Sequence, residues 1–376
     1  MIPFNKPALV GRELDYIREA VESGHLSGDG AFTKKCHAWI ERRTGGAALL
    51  THSCTGALEM ACLLADIAPG DEVILPSFTF VSSANAIALR RAVPVFVDIR
   101  EDTLNIDEAQ IEAAITPRTK AIMAVHYAGV CAEMDAINDI ARRHGLFVIE
   151  DAAQALLSTY KGRPAGALSD AAAFSFHETK NVLSGEGGAL VVHRPDLIAR
   201  AEVIREKGTN RKQFFRGMVD KYTWVDVGSS YLPSEVIAAF LYAQFERAEE
   251  ITRYRIEACE TYRRAFEPME RDQLLRVPHA PAHCGFNGHM FYLILPDAAR
   301  RDRFIARMRE EGVGAPFHYV PLHSAPAGKR LARAAGDMTV TDAISERLVR
   351  LPMFWGVKDI QPRIIETALS CLHDLA

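Results

Sequence analysis

Ala121-Ile-Met-Ala-Val125, Met134 to His144 and Phe147-Val-Ile-Glu-Asp151 follow one another closely, and their reading decides the fold. The outer runs are short, continuous and apolar, as in strands buried on both faces. The middle segment reads as the helix that crosses between them. The alternation extends both ways. Upstream, Ala47-Ala-Leu-Leu50, Glu72-Val-Ile-Leu75 and Val93-Pro-Val-Phe-Val-Asp98 read as strands. Ala57 to Ala65, Ser83 to Arg91 and residues 107–115 read as helices between them. Downstream, Ala171 to Phe176 and Gly188 to Val192 add two more strands. The expected fold is α/β, with a mainly parallel seven-stranded sheet covered on both faces, and ligands of such sheets sit at the carboxyl ends of the strands.

The flanks are less regular. Residues 9–23 are expected as a helix with Val10, Leu14, Ile17 and Val21 on its apolar face, and a second helix carries Phe32, Cys36, Trp39 and Ile40. A single long helix is expected from Pro233 to about Phe266, leading out of a large domain (1–245) into a smaller C-terminal α/β domain (246–376). There Met290 to Leu295 reads as a strand, Arg301 to Glu311 as a helix, and Gly314 to Pro321 as a strand and turn. Ser345 to Val349 reads as the start of a helical region, and Ile360 to Leu375 as a terminal helix.

Composition narrows the function class. The 376 residues are 48% hydrophobic and 24% charged with a net charge of −4, so nucleic acid is not an expected partner. Seven cysteines are scattered without a Cys-x-x-Cys pair, which suits reduced thiols in the cytoplasm and neither a disulfide framework nor a zinc site. No metal site is expected. The N-terminus has no signal-peptide pattern and no apolar run reaches membrane-spanning length, so no membrane insertion is expected.

Chemistry-bearing residues cluster at strand ends. Asp151 closes one strand and is followed by Ala152-Ala-Gln154. A buried carboxylate needs a partner, and the pyridinium nitrogen of pyridoxal 5'-phosphate is one; capping a following helix is the other reading. Lys180 follows the strand Ala171 to Phe176 and precedes Gly185-Glu-Gly-Gly188, a setting for a desolvated Schiff-base lysine. Thr51-His-Ser-Cys-Thr-Gly-Ala-Leu58 joins a strand to a helix. The amides of Cys54, Thr55 and Gly56 either point at a phosphate or belong to a plain helix cap. Ser175 is placed to reach the same phosphate. Phe80 is either a stacking platform for a flat ring or a core residue, and Gln154 could hydrogen-bond near the ring. His126 either packs beside the ring or is structural, and His318, Tyr319 and His323 are expected to line the substrate entry.

At this point the chain resembles the DegT/DnrJ/EryC1/StrS sugar aminotransferases, of the aspartate-aminotransferase-like fold (pyridoxal phosphate fold type I). The resemblance covers essentially the whole chain and rests on Met1-Ile-Pro-Phe-Asn5, Ser27-Gly-Asp-Gly30, Ser53-Cys-Thr55, Ser175-Phe-His-Glu-Thr-Lys-Asn181, Glu206-Lys-Gly-Thr-Asn-Arg211, Gln213-Phe-Phe-Arg-Gly217, Asp220-Lys-Tyr-Thr-Trp224 and Gly228-Ser-Ser-Tyr-Leu232. It implies that Lys180 holds the cofactor covalently, Asp151 contacts the pyridinium, Phe80 stacks on the ring and Gln154 lies beside it. It assigns Cys54, Thr55 and Ser175 to the phosphate. It further implies L-glutamate as amino donor, a dTDP-sugar as acceptor, and a homodimer. In such a dimer the partner often supplies an asparagine at the position where this chain has Ser230. The competing readings are a pyridoxal phosphate lyase, an aminotransferase acting at another ring position, and a binding module that keeps the fold.

Overall fold

The computed structural model describes residues 1–374; Leu375, at the end of the expected terminal helix, lies outside the described residues. The main strands are β1 (Ala47–Thr51), β2 (Glu72–Pro76), β3 (Val93–Val97), β4 (Thr119–Val125), β5 (Phe147–Asp151), β6 (Ala171–Ser175), β7 (Gly188–Val192), β8 (Phe291–Ile294), β9 (Arg333–Ala334) and β10 (Leu348–Leu351). The main helices are α1 (Glu13–Glu22), α2 (Ala31–Thr44), α3 (Cys54–Leu64), α4 (Val81–Ala88), α5 (Glu108–Ala114), α6 (Met134–His144), α7 (Pro195–Arg205), α8 (Glu235–Glu246), α9 (Ala248–Arg271), α10 (Ala298–Glu310), α11 (Thr339–Arg347) and α12 (Gln361–His373).

The large sheet runs β1-β7-β6-β5-β4-β2-β3-β9. Only β7 is antiparallel to its neighbours. The expected seven strands are all present, and β9 adds an eighth at the edge. That edge is pinned by charge: the Arg333 guanidinium donates to the buried Glu72 carboxylate (2.7 Å), which Arg118 and Thr116 also engage.

Alternate residues of each strand feed two separate cores, which is why the strands read as continuous apolar runs. One face sends Leu50, Ile74, Val97, Ile122, Val148 and Phe174 toward α2, α6 and α8. The other sends Leu49, Val73, Phe96, Met123, Ile149 and Leu190 toward α3, α4 and α7. A third core joins α9, α10 and α12 to Phe291, Leu293, Val349 and Leu351, and it includes Ile2. The helix α9 links these cores: its Ile251 packs on the large sheet, while Tyr262 and Phe266 belong to the third core.

Four sequence expectations are corrected. In α1 the buried face is Glu13, Tyr16 and Ala20, whereas Leu14 and Val21 are exposed. Polar contacts set the rotation: the Glu13 carboxylate accepts the amides of Val10 and Gly11 and the Gln244 side chain, and the Tyr16 hydroxyl donates to Glu246. The expected single helix from Pro233 is two, α8 and α9, broken at Arg247 (φ −110°, ψ 5°), whose guanidinium reaches the Val10 carbonyl and Glu250. Residues 314–321 form no regular strand; their backbone is held instead by Ile2 and Arg350. The region from Ser345 does not begin a helix: α11 ends at Arg347 and β10 follows, paired antiparallel with β8.

One buried carboxylate organises the N-terminal layer. Glu235, 2% exposed, accepts the amides of Gly30 (3.0 Å), Phe32 (2.8 Å) and Thr33 (3.1 Å) and the Thr33 hydroxyl, so the start of α8 caps the start of α2. Position 30 must be glycine, since a Cβ there would lie 2.5 Å from the Glu235 carboxyl carbon. Removing this acceptor orphans three buried donors. Glu235→Ala is therefore expected to cost about 3 kcal/mol or more, and Glu235→Gln about half of that. Denaturant unfolding checks this, and a loss below about 1 kcal/mol for the alanine variant contradicts it.

Candidate active site

The carboxyl ends of β1, β4, β5 and β6 open onto one cleft of about 570 Å³. Its wall is completed by residues 318 and 319, by β10 and by Phe4 and Asn5 of the N-terminal arm. Of the residues expected at the site, Cys54, Thr55, Phe80, Asp151, Gln154, Ser175, Lys180, His318 and Tyr319 all line it. His323 does not. Its ring lies between the Ser77 hydroxyl (2.8 Å) and Asp342 (3.3 Å), behind the loop that follows β2.

Asp151 ends β5 with its carboxylate buried. The helix-capping reading is overturned, because no helix follows. Instead one oxygen accepts the Ser83 hydroxyl (2.7 Å) and the other the Ala153 amide (3.2 Å). No cationic side chain among the described residues lies within ion-pair distance of it. A buried anion held by neutral donors at the cleft floor is matched to a cation brought by a ligand.

Lys180 sits in the turn after β6, where its amide donates to the His177 carbonyl (2.9 Å). The turn folds back on itself through Phe176 to Gly187 and Glu178 to Gly185. Burial depresses the Lys180 pKa and the Arg350 charge acts the same way, while Cys54 and Asp151 oppose them. The net effect raises the share of free amine, the nucleophilic form. The Cys54 thiol is pushed the other way by burial, well above its usual value, so it stays protonated.

The start of α3 faces the same space. Ser53 caps the helix by accepting the Gly56 amide (3.1 Å), so that amide is not available to an anion as the sequence suggested. The Cys54 and Thr55 amides remain as first-turn donors. The Thr55 hydroxyl contacts Ser82 (2.7 Å), and Ser175 lies buried at the end of β6. Gly188 lets β7 pass here: a Cβ would fall 2.4 Å from the Cys54 nitrogen. Two amides and three hydroxyls, with a carboxylate that lacks a protein cation and a lysine in the same cleft, fit a flat, phosphorylated pyridine carrying an aldehyde. Phe80, 56% exposed and 6.3 Å from the Tyr319 ring, presents an aromatic face to this space and is not a core residue.

The second wall is an aromatic and amide network. Gln154 accepts the Ala128 amide (2.6 Å) and donates to the Tyr319 hydroxyl (2.8 Å). Tyr319 stacks on His318 at 3.7 Å, and His318 Nδ1 meets the Tyr127 hydroxyl at 2.7 Å. His126 takes its structural role, bonded to Glu150 (2.9 Å) and to the Ala132 amide.

Sequence reading missed Phe4, Asn5, Arg255, His289 and Arg350, all of which line the cleft. Asn5 donates to the Glu178 carbonyl (3.1 Å), laying the N-terminal arm over the lysine turn. Arg350 was legible as the one charge in Leu348-Val-Arg-Leu351, an alternation that a helical reading of the region hides.

His289 and His318 are kept neutral, because burial, helped by nearby cations, holds both well below the usual histidine range. The unfolded chain takes up a proton at each below about pH 6.5, and the folded protein does not. Stability therefore falls as pH drops below that value, by about 1.4 kcal/mol per pH unit per histidine. His289→Gln is expected to flatten the fall between pH 6.5 and 5 by one proton's worth. Wild-type and variant unfolding curves with equal pH slopes contradict this.

The chain is 33% identical over 369 residues to the spore coat polysaccharide biosynthesis protein SpsC of Bacillus subtilis, covering 95% of this chain and 93% of that one. The aminotransferase TlmJ from Streptoalloteichus hindustanus superposes with a TM-score of 0.91 at 31% identity, over 100% of both chains. A Streptococcus pneumoniae protein solved in a PLP-form superposes with a TM-score of 0.90 at 25% identity, over 100% of this chain and 99% of that one. The architecture is that of the fold-type-I aminotransferases. The DegT/DnrJ/EryC1/StrS aminotransferase family model matches residues 7–368, and the chain belongs to that family.

Proposed function

We propose that this aminotransferase moves the amine of L-glutamate to the 4-oxo group of dTDP-4-oxo-6-deoxy-D-glucose, giving dTDP-4-amino-4,6-dideoxy-D-galactose and 2-oxoglutarate. Aminotransfer with pyridoxal 5'-phosphate is the property of the family. The choice of acceptor rests on similarity to dTDP-4-amino-4,6-dideoxygalactose transaminase, notably in Ser175-Phe-His-Glu-Thr-Lys-Asn181 and Asp220-Lys-Tyr-Thr-Trp224. The observation that carries the reading is the buried, cation-free Asp151 in the same cleft as the half-buried Lys180.

When bound, pyridoxal phosphate supplies an electron sink and carries the amine between the two half-reactions. The protein residues do the rest. Asp151 would pair with the ring nitrogen and favour its protonated form. The Cys54 and Thr55 amides, with the Thr55 and Ser175 hydroxyls, hold the phosphate. Phe80 would cover one ring face, and Gln154, oriented by Ala128 and Tyr319, would meet the ring edge. The Lys180 amine, its basicity reduced by burial, takes a proton from the substrate carbon and returns one in the reverse direction. His318 and Tyr319 border the substrate.

We take the working unit to be a homodimer located in the cytoplasm, with domains at 1–245 and 246–376. Separate cores bridged by α9 support that division. A cluster of exposed apolar side chains between Phe215 and Val227, with Trp224 76% exposed, supports a covered face. Ser230 beside it is exposed.

The test is incubation with nitrogen-15-labelled L-glutamate and dTDP-4-oxo-6-deoxyglucose. Label in the sugar, matched by 2-oxoglutarate, and an axial amine at the fourth carbon are expected. An amine found only on other oxo-sugars overturns the acceptor assignment. Lys180→Ala is expected to lose turnover by at least about a thousandfold with its unfolding curve preserved.

A further inference from the structure

The Lys180 amine and one ring nitrogen of His289 meet the cleft without a hydrogen-bond or ion-pair partner among the described residues. His289, 7% exposed, ends the turn Asn287-Gly288-His289 just ahead of β8. That turn is fastened on three sides. The Asn287 side chain donates to the carbonyls of Gln154 (2.8 Å) and Leu156 (2.9 Å), beyond the end of β5. Arg255 in α9 donates to the carbonyls of Gly288 (3.0 Å) and His289 (2.6 Å). Asn181, next to Lys180 in the chain, donates its side-chain nitrogen to the Asn287 carbonyl (2.9 Å).

The same asparagine sets the tautomer of His289. A carbonyl only accepts, so the Asn181 nitrogen must face Asn287 and its oxygen faces His289 Nδ1 at 3.0 Å. Nδ1 therefore carries the proton and Nε2 carries a lone pair. Nε2 bonds to no protein group, yet it is not sealed. Among the described residues, the sealed side-chain atoms without a partner belong to Glu108, Arg205, Thr252 and Arg301. The open space that His289 borders is the cleft it shares with Lys180. Burial holds the imidazole neutral and the Lys180 charge is the next cause, which puts the two side chains close together. One has hydrogens to give, and the other can only accept.

We propose that His289 is a positioning residue for amine transfer, its Nε2 accepting a hydrogen bond from the Lys180 amine whenever that amine is free of the cofactor. This rests on the aminotransferase reading above. A free amine on a four-carbon stem has many rotamers, and few of them aim its lone pair at the substrate carbon. Holding one N–H on Nε2 selects among them. When the amine takes the carbon proton it becomes an ammonium. His289 keeps its hold on one hydrogen while the proton taken is returned from the same nitrogen. The imidazole does not take that proton itself, because burial sets its basicity far below that of the amine.

Two variants separate this role from bracing of the turn. His289→Asn puts an amide nitrogen near the place of Nδ1, keeping the bond to Asn181 and removing the Nε2 acceptor. His289→Gln puts an amide oxygen near the place of Nε2 and gives up the bond to Asn181. Each is measured as holoenzyme in single turnovers with L-glutamate, followed in the visible spectrum. For His289→Asn the limiting rate is expected to fall about 30-fold while the half-saturating L-glutamate concentration changes less than about threefold, and His289→Gln is expected to recover most of the loss. His289→Met, of similar length and without a nitrogen or oxygen acceptor, takes the place of the asparagine variant if that one does not fold.

The second measurement needs no turnover. The full-length chain without cofactor is trace-acetylated across a range of pH, with Lys180 followed by peptide mass. Cys54, Asp151 and Arg350 also act on this titration and are the same in every variant. Nε2 favours the ammonium, so its loss in His289→Asn is expected to lower the Lys180 half-titration point by about one pH unit. An asparagine variant as fast as wild type, a glutamine variant slower than the asparagine one, or an unmoved Lys180 titration overturns the proposal. Wild-type holoenzyme that takes no amine from L-glutamate overturns the aminotransferase reading instead, and the titration then decides the contact between His289 and Lys180.

Discussion

A carboxylate buried at the end of a strand, with neutral donors and no protein cation, is the constraint on which the rest of the site depends. Asp151 could not be left in that state by an apolar cleft alone. Ser83 and the Ala153 amide hold it aimed, and the parallel sheet holds it at the cleft floor. Everything opposite is set by what such an anion must face. The other walls carry a lysine, first-turn amides, hydroxyls and an aromatic face, which together describe a planar cation with a phosphate at its far end.

Burial then tunes the titratable groups in opposite senses. The Lys180 amine is made easier to deprotonate, the Cys54 thiol harder, and two histidines are kept uncharged. One nucleophilic base is thus left among groups that do not compete with it. The Arg350 charge at the wall reinforces this by favouring the free amine.

Much of this was readable in the sequence because the strand signal is local. Met134–His144 and Phe147–Asp151 have the expected bounds, and Asp151, Thr55 and Ser175 sit at strand or helix ends where backbone geometry alone presents them to the cleft. What was not readable depends on tertiary polar contacts. The face of α1 is chosen by Glu13 and Tyr16 against α8, and the break at Arg247 by a carbonyl in a distant loop. His323 shares a segment with His318 and Tyr319, yet Ser77 and Asp342 turn it away. Arg350 and the N-terminal arm reach the cleft only through pairing that spans the chain, Tyr292 with Arg350 and Asn5 with Glu178.

The account stands on Lys180 as the residue that holds the cofactor. Protein loaded with pyridoxal phosphate, reduced with borohydride and digested locates that link by peptide mass. A phosphopyridoxyl group on Lys180 alone is the predicted result. Attachment to another lysine, or no attachment in protein shown to be folded, contradicts it.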